Sequence, residues 1–216
     1  MRGDGNVVLF DTTWGTNKYK MKLGCFTTVG GDGDTVILGA CLLLHEDIES
    51  FEWAFVQFHA TFKIPPYVMF TDGDVCMARA IADVFPTTVH LLCIYHLSLN
   101  FVEHIKPLFV GREADESYRK ALDGFWRVAK NSDKLSRDMF DQDFDQVVVY
   151  VETLNTHSEK KEQALAWLED LRDKRTKWAA RFTWKYATLG VHSTQVQATG
   201  LGTALPKTQQ SAGHSF

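Results

Sequence analysis

The order of strand and helix signals in the first hundred residues constrains the fold more than any other feature. Apolar alternating runs predict strands at 7–12, 20–29, 35–44, 67–71 and 89–93, and apolar residues at helical spacing predict helices at 50–63, with Ser50 as N-cap, and at 74–85. A glycine-rich turn joins the second and third strands and is typical of a hairpin. We therefore predict an α/β fold with a mixed five-stranded sheet and the element order βββαβαβ. Helical crossovers make the later strands parallel to the first.

Two of the predicted strands end at an aspartate. Asp11 follows the apolar run 7–10, and Asp72 follows the run 67–71. A carboxylate at the end of a buried strand is held rigidly, and neighbouring strands lie about 4.8 Å apart. The pair therefore predicts a site for Mg²⁺ or Mn²⁺, which accept one or two carboxylates together with water and phosphate. The alternative interpretation is two ordinary turn aspartates, a common role for this residue.

Composition places the chain among globular proteins. Of its 216 residues, 45% are apolar and 12% are aromatic, which is enough for a packed core. No run approaches the roughly 18 apolar residues of a membrane span, and the first residues lack a signal-peptide pattern. We expect an intracellular protein with no membrane partner. Because the net charge is −4, a nucleic-acid partner would have to be bound by local basic patches or by another domain.

The second half of the chain differs from the first in its pattern of charged and aromatic residues. Charged and aromatic residues recur at helical spacing over 101–109, 116–130, 138–155 and 160–182, which predicts a helical insertion and a helical C-terminal half. We expect Trp167, Trp178 and Trp184 to be buried anchors of these helices. The final residues are polar and small, which is typical of disorder. The predicted organisation is a core at 1–100, a helical part at 101–186 and a degenerate or disordered tail at 187–216.

Several short motifs carry a resemblance to a known family. They are Asp11-Thr12-Thr13, Asn17, Tyr19, Ser50-Phe51-Glu52-Trp53, Thr71-Asp72-Gly73-Asp74, Met77, Ala80-Ile81, Val84-Phe85-Pro86, His90-Leu91-Leu92-Cys93-Ile94-Tyr95-His96, Trp178 and Gly190-Val191-His192-Ser193-Thr194-Gln195. Their order and spacing resemble the catalytic core of Mutator-like element (MULE) transposases. The same pattern resembles the domesticated far-red-response regulators and SWIM zinc-finger proteins.

The resemblance implies a fold, a chemistry and a partner. The fold is RNase H-like, with an Asp-Asp-Glu triad that binds two Mg²⁺ or Mn²⁺ ions and a helical insertion before the glutamate. The implied partner is DNA at transposon ends, with a homo-oligomer as the candidate assembly and the nucleus as the implied location.

Within the resemblance, Asp11 matches the first acid and Asp72 the second. Asp74 follows closely but is assigned to the N-cap of the next helix. Family members continue the Ser-Thr-Gln run with Arg, a variable residue and Glu, whereas this chain has Ala198 at the glutamate position. The resemblance therefore predicts a transposase core that has lost strand transfer, because catalytic groups that act as a unit fail together. The alternative is a domesticated, non-catalytic module that associates with DNA or with proteins.

His90, Cys93 and His96 form a His-x2-Cys-x2-His pattern, whose Cys-x2-His part recurs in the family. Thiolate and imidazole are zinc ligands, but a closed structural site needs four ligands. One interpretation is a zinc site completed by His104 or His157. The favoured interpretation is a buried thiol beside a hydrogen-bonded histidine.

Two basic stretches are candidates for DNA contact. The stronger candidate contains Lys174, Arg175, Lys177 and Arg181. Tryptophans lie among these residues, although nearby acids dilute the charge. In the weaker candidate, Lys18, Lys20 and Lys22 alternate along the predicted second strand and would share one face. We favour a solvated sheet edge for these three lysines.

Overall fold

The computed structural model describes residues 6–13, 17–110, 112–130, 137–154, 159–186 and 188. Its five strands are β1 (Val7–Thr13), β2 (Lys22–Val29), β3 (Thr35–Leu43), β4 (Val68–Thr71) and β5 (Val89–Leu92). They form one sheet in the order β3-β2-β1-β4-β5. The pairs β1–β4 and β4–β5 are parallel, and the pairs β1–β2 and β2–β3 are antiparallel. The α/β class and the mixed five-stranded sheet are confirmed.

The helices alternate with the last strands and then follow one another. They are α1 (Ile48–Phe62), α2 (Val75–Val84), α3 (Ile94–Ile105), α4 (Arg112–Lys130), α5 (Arg137–Glu152), α6 (Glu159–Asp173) and α7 (Ala180–Thr183), with 3₁₀ turns at Lys106–Leu108 and Arg175–Lys177. Each helix in the described part of the chain is too short or too polar to cross a bilayer.

The start of α1 differs from the prediction. Asp47 is the N-cap, and its carboxylate accepts a hydrogen bond from the Ser50 backbone N–H at 2.9 Å. Ser50 therefore lies in the first turn, and its prediction as the cap was wrong. An aspartate three residues earlier takes the role because its oxygen reaches an N–H that has no partner within the helix. Asp74 caps α2 in the same way, by accepting from the Met77 N–H at 2.8 Å.

The first face of the sheet packs against α1 and α2 through aromatic residues. Phe10 is fully buried, and its ring centre lies 4.5 Å from that of Phe26 and 5.1 Å from that of Phe55. Gly24 makes room for this ring, because a Cβ there would lie 2.8 Å from Phe10 Cζ. Burial of one such side chain stabilises the fold by about 2–3 kcal/mol, so this face holds β1 firmly against the helices.

The helical half has its own hydrophobic core, and Trp178 belongs to it. Trp178 is 2% exposed, and its indole Nε1 donates to the Leu171 carbonyl at 2.9 Å. Trp184 is 64% exposed, so its prediction as a core anchor was wrong. The short helix α7 turns Ala180 and Thr183 inward, which leaves Trp184 on the outward side. The predicted tail lies outside the described residues except for position 188, and the three-part division remains a prediction.

The second strand begins later than predicted. Lys20 has a φ of 58° and ends a turn in which the Asn17 side chain accepts from two backbone N–H groups. Lys22 is the first residue of β2, and its Nζ lies 3.0 Å from Glu46 Oε2. Lys18, Lys20 and Lys22 therefore do not line one strand face, and that prediction was wrong because the turn takes up the first two.

Candidate functional site

Asp11 and Asp72 lie at neighbouring positions along one edge of the sheet. Leu9 of β1 is paired with Phe70 of β4, and both belong to one buried cluster. Asp11 comes two positions after Leu9, and Asp72 comes two positions after Phe70. Because side chains alternate along a strand, both carboxylates are directed to the face that Leu9 and Phe70 occupy. Continued by two residues, the parallel register therefore places Asp11 beside Asp72.

A tight turn after β4 holds the Asp72 carboxylate. Its Oδ1 accepts a hydrogen bond from the Asp74 backbone N–H at 3.0 Å. Gly73, between them, has a φ of 95°, a conformation that glycine adopts at little cost. The buried Thr71 hydroxyl accepts from the Gly73 N–H at 3.3 Å. A backbone N–H of the turn therefore holds one oxygen of the Asp72 carboxylate in place.

His96 reaches Asp11 from the first turn of α3. Its Nε2 lies 3.7 Å from Asp11 Oδ2, and the two side chains are 23% and 18% exposed. Burial by itself would lower the pKa of His96. A hydrogen bond with Cys93 and the charges of Asp11, Cys93 and Asp72 outweigh burial and raise that pKa above its ordinary value. The protonated form of His96 is thus favoured beside the carboxylates at this edge.

His90 does not join Cys93 and His96. Its Nε2 lies 2.7 Å from the Thr71 hydroxyl oxygen. Burial, and then the nearby charge of Lys177, lower the pKa of His90 to about 4, so its ring is neutral at pH 7. Cys93 follows His90 by three positions, just beyond the end of β5, so the alternation of side chains directs the two to opposite faces. The three side chains of the His-x2-Cys-x2-His pattern therefore lie in two separate places: His90 is beside Thr71, and Cys93 is beside His96, which lies near Asp11.

This pKa predicts a pH dependence of stability. The unfolded chain protonates His90 below about 6.5, whereas the folded protein does so only near 4. The free energy of unfolding should therefore fall as the pH falls through this window, by at most about 1.4 kcal/mol per pH unit. Urea titrations at several pH values should show this slope reduced in His90→Gln and retained in His45→Gln, a change at an exposed loop histidine. Equal slopes in all three proteins would contradict it.

The remaining zinc candidates also lie apart. The ring of His104 stacks on Trp167, with centres 5.1 Å apart, and His157 lies outside the described residues. Within the described ranges, no group of three or more His, Cys, Asp or Glu side chains is arranged to hold a metal ion. The donors at the sheet edge are two carboxylates, a set that fits one Mg²⁺ or Mn²⁺ completed by water. Ala198 also lies outside the described residues.

The four basic candidates for DNA contact differ in their availability. Lys174 is paired with Asp170, with Nζ and Oδ2 2.6 Å apart. Arg175 donates to the Arg172 carbonyl at 3.1 Å. Lys177 and Arg181 have no ion-pair partner among the described residues, and Lys177 is exposed. Lys177 is therefore available to a ligand, whereas Arg181 is half-buried and its Nε is shielded from solvent.

Sequence reasoning missed the contact between His96 and Asp11. A signal for it was present, because His96 follows the end of β5 by four residues and α3 begins at the same sheet edge. Glu46 was also missed. Its Oε1 accepts from the Thr12 hydroxyl at 2.8 Å, and its pairing with Lys22 occupies the other oxygen. Glu46 is therefore committed to tying the loop after β3 to β1 and β2.

The fold and this edge define a class of protein: α/β domains with a mixed five-stranded sheet and acids at the ends of neighbouring parallel strands. Within that class, residues 7–100 match the family model of the MULE transposase domain. The resemblance to the MULE transposase domain is therefore confirmed for this segment. The wider resemblance, toward residue 195, remains a prediction.

The relatives found by sequence are plant proteins. The chain is 32% identical over 114 residues to Protein FAR1-RELATED SEQUENCE 5 of Arabidopsis thaliana, a match that covers 52% of this chain and 14% of the relative. It is 35% identical over 92 residues to FAR1-RELATED SEQUENCE 11 of the same plant, which covers 42% of this chain and 14% of that protein. The chain therefore spans about a seventh of the length of these curated relatives.

Solved structures also match, and one of them is an enzyme from yeast. The yeast mitochondrial Holliday junction resolvase Ydc2 aligns over 80% of this chain and 84% of its own, with 12% identity and a TM-score of 0.24. A likeness at this score carries no argument about fold or function.

Proposed function

We propose that this chain is a MULE transposase core that binds DNA and one Mg²⁺ or Mn²⁺ ion but no longer carries out strand transfer. The observation that carries the proposal is the parallel register of β1 and β4, which brings Asp11 and Asp72 side by side. The cation would be held by these two carboxylates and would supply Lewis-acid activation of a phosphate oxygen or water. The chain's own residues hold the carboxylates in position, through the turn at Gly73 and the contact from His96.

Loss of strand transfer follows from the third acid position. Ala198 occupies it, and alanine has no metal ligand. Three glutamates of the helical half could in principle replace the third acid: Glu152 on α5, and Glu159 and Glu162 on α6. None of them takes part in a group of three metal-binding side chains within the described residues. We propose an RNase H-like fold for the sheet and its helices, because β1, β4 and β5 are parallel and acids lie at two of their ends.

A second candidate function shares the fold but not the chemistry. The matched relatives carry names that refer to a far-red response, and Ala198 removes a catalytic ligand. Both observations favour a domesticated module that associates with DNA without cutting it. Under either candidate the partner is DNA and the proposed location is the nucleus.

Metal titration tests the proposed site. Asp72→Asn should weaken Mn²⁺ binding by at least about tenfold, because changes even in the groups that support metal ligands cost about 10- to 100-fold. Calorimetric titration of the purified chain would measure this affinity. Asp74→Asn is the matched control, since asparagine also caps a helix and Asp74 is assigned to the cap. Equal affinity in Asp72→Asn and the parent would contradict the proposal.

A further inference from the structure

One segment of the helical half has a charge unlike the rest of the chain. The basic segment, residues 174–186, contains Lys174, Arg175, Lys177, Arg181 and Lys185 and has no aspartate or glutamate, in a chain whose net charge is −4. Like charges brought together on a surface need a polyanion or counter-ions to balance them. The basic segment is therefore the strongest candidate in the described residues for contact with a nucleic-acid backbone.

The basic segment has a buried side and an outward side. Trp178, Ala180 and Thr183 are buried against the helical core. On the outward side, Lys177 is exposed and Trp184 is 64% exposed. An indole so open to water gains little from packing in this fold, and the segment around it carries lysines and arginines but no acid.

The basic segment also adjoins the edge that carries the two aspartates. Its 3₁₀ turn, Arg175–Lys177, packs against β5. Lys177 is close enough to affect His90, which is bonded to the Thr71 hydroxyl, and Thr71 directly precedes Asp72. Tyr186, at the other end of the segment, packs against the buried cluster from which the aspartates extend. A nucleic-acid strand bound to the basic segment would therefore pass near the sheet edge that carries Asp11 and Asp72.

We propose that the outward side of the basic segment binds single-stranded DNA, with an unpaired base stacked on Trp184 and a phosphate held by Lys177. The proposal rests on the proposed function in taking DNA as the partner. A flat, exposed indole favours an unpaired base, because the faces of paired bases are covered by their neighbours in the duplex, whereas every unpaired base offers a face. Arginine and lysine supply the backbone contacts in such sites.

Fluorescence anisotropy with a labelled single-stranded oligonucleotide, in EDTA, tests this proposal. Trp184→Ala should weaken binding about 5- to 150-fold, the range that one stacked base represents, and Trp184→Phe should restore much of the affinity. The matched control is Trp53→Ala, which removes another exposed indole, 51% exposed, on α1. Binding of a blunt duplex should change little in either alanine variant.

Salt dependence and intrinsic fluorescence separate stacking from charge. Lys177→Ala should lower the slope of log affinity against log salt by about 0.7, the value for one phosphate contact on a single strand. Intrinsic tryptophan fluorescence should be quenched on binding in the parent, and this quenching should be reduced in Trp184→Ala. Single-strand binding by Trp184→Ala that equals the parent would overturn the proposal. So would a parent that binds no single strand, and the exposed indole would then fit a protein partner instead.

The same experiment distinguishes this proposal from the metal site. Because EDTA removes divalent ions, single-strand binding by the parent is measured without a contribution from the carboxylate site. Unchanged single-strand affinity in Trp184→Ala, together with intact Mn²⁺ binding by the parent, would overturn only the role of Trp184. Single-strand binding without any Mn²⁺ binding would overturn only the carboxylate site.

Discussion

Replacing Trp178 by alanine is expected to lower the free energy of unfolding by about 3–5 kcal/mol, the range for a buried large aromatic residue. Trp178 is 2% exposed, stacks on Phe125 with ring centres 5.7 Å apart, and bonds to the Leu171 carbonyl through its indole N–H. Truncation would leave a cavity and an unpaired carbonyl. Chemical denaturation followed by circular dichroism at 222 nm would measure the loss.

The same substitution six residues later is the control. Trp184→Ala removes an identical side chain that is 64% exposed, and a surface change of this kind should shift stability by no more than about 0.5 kcal/mol. If both variants lost the same stability, Trp184 would be packed in solution. The outward face on which the single-strand proposal depends would then not exist.

The chain is expected to show no metal-dependent cleavage or strand transfer of DNA above background. Carboxylates that act as a unit fail together, so a missing third acid should cost at least about a thousandfold in rate. Supercoiled plasmid and labelled linear DNA, incubated with Mn²⁺ and followed on gels, would measure both reactions. The parent and Asp11→Ala should be indistinguishable. Robust cleavage by the parent that disappears in Asp11→Ala would show that another acid has replaced the missing one.

Local signals predicted the sheet well. The glycine-rich turn forms the expected hairpin, in which the Gly30 N–H donates to the Asp34 carbonyl at 2.8 Å. The runs before Asp11 and Asp72 are buried strands because their apolar residues have no polar face to offer water. Ser50 and Asp47 show the limit of such reasoning: both are good capping residues, and only the geometry of the turn before α1 decides between them.

Tertiary relations were less accessible to sequence. Trp184 is a large apolar residue of the kind usually found in a core, but it lies on the outward side at the end of the short helix α7. A helix of four residues is too short for the 3.6-residue periodicity of the sequence to show which side is buried. Register between β1 and β4 depends on packing over residues distant in sequence, so the neighbourhood of Asp11 and Asp72 could only be expected from the strand order. His96 could be placed at the same edge by counting, but its contact with Asp11 depends on the entry angle of α3.

The turn at Gly73 lets the charge of Asp72 be separated from its shape. The hydrogen bond that holds this side chain is accepted from a backbone N–H, the role that an amide oxygen performs equally well. An asparagine at position 72 therefore keeps the turn closed and the side chain in place while the negative charge disappears. An alanine there would open the turn as well. The backbone around this position thus makes the edge of the sheet tolerant of isosteric neutralisation, so a chain could lose its metal-binding charge at Asp72 without losing its fold.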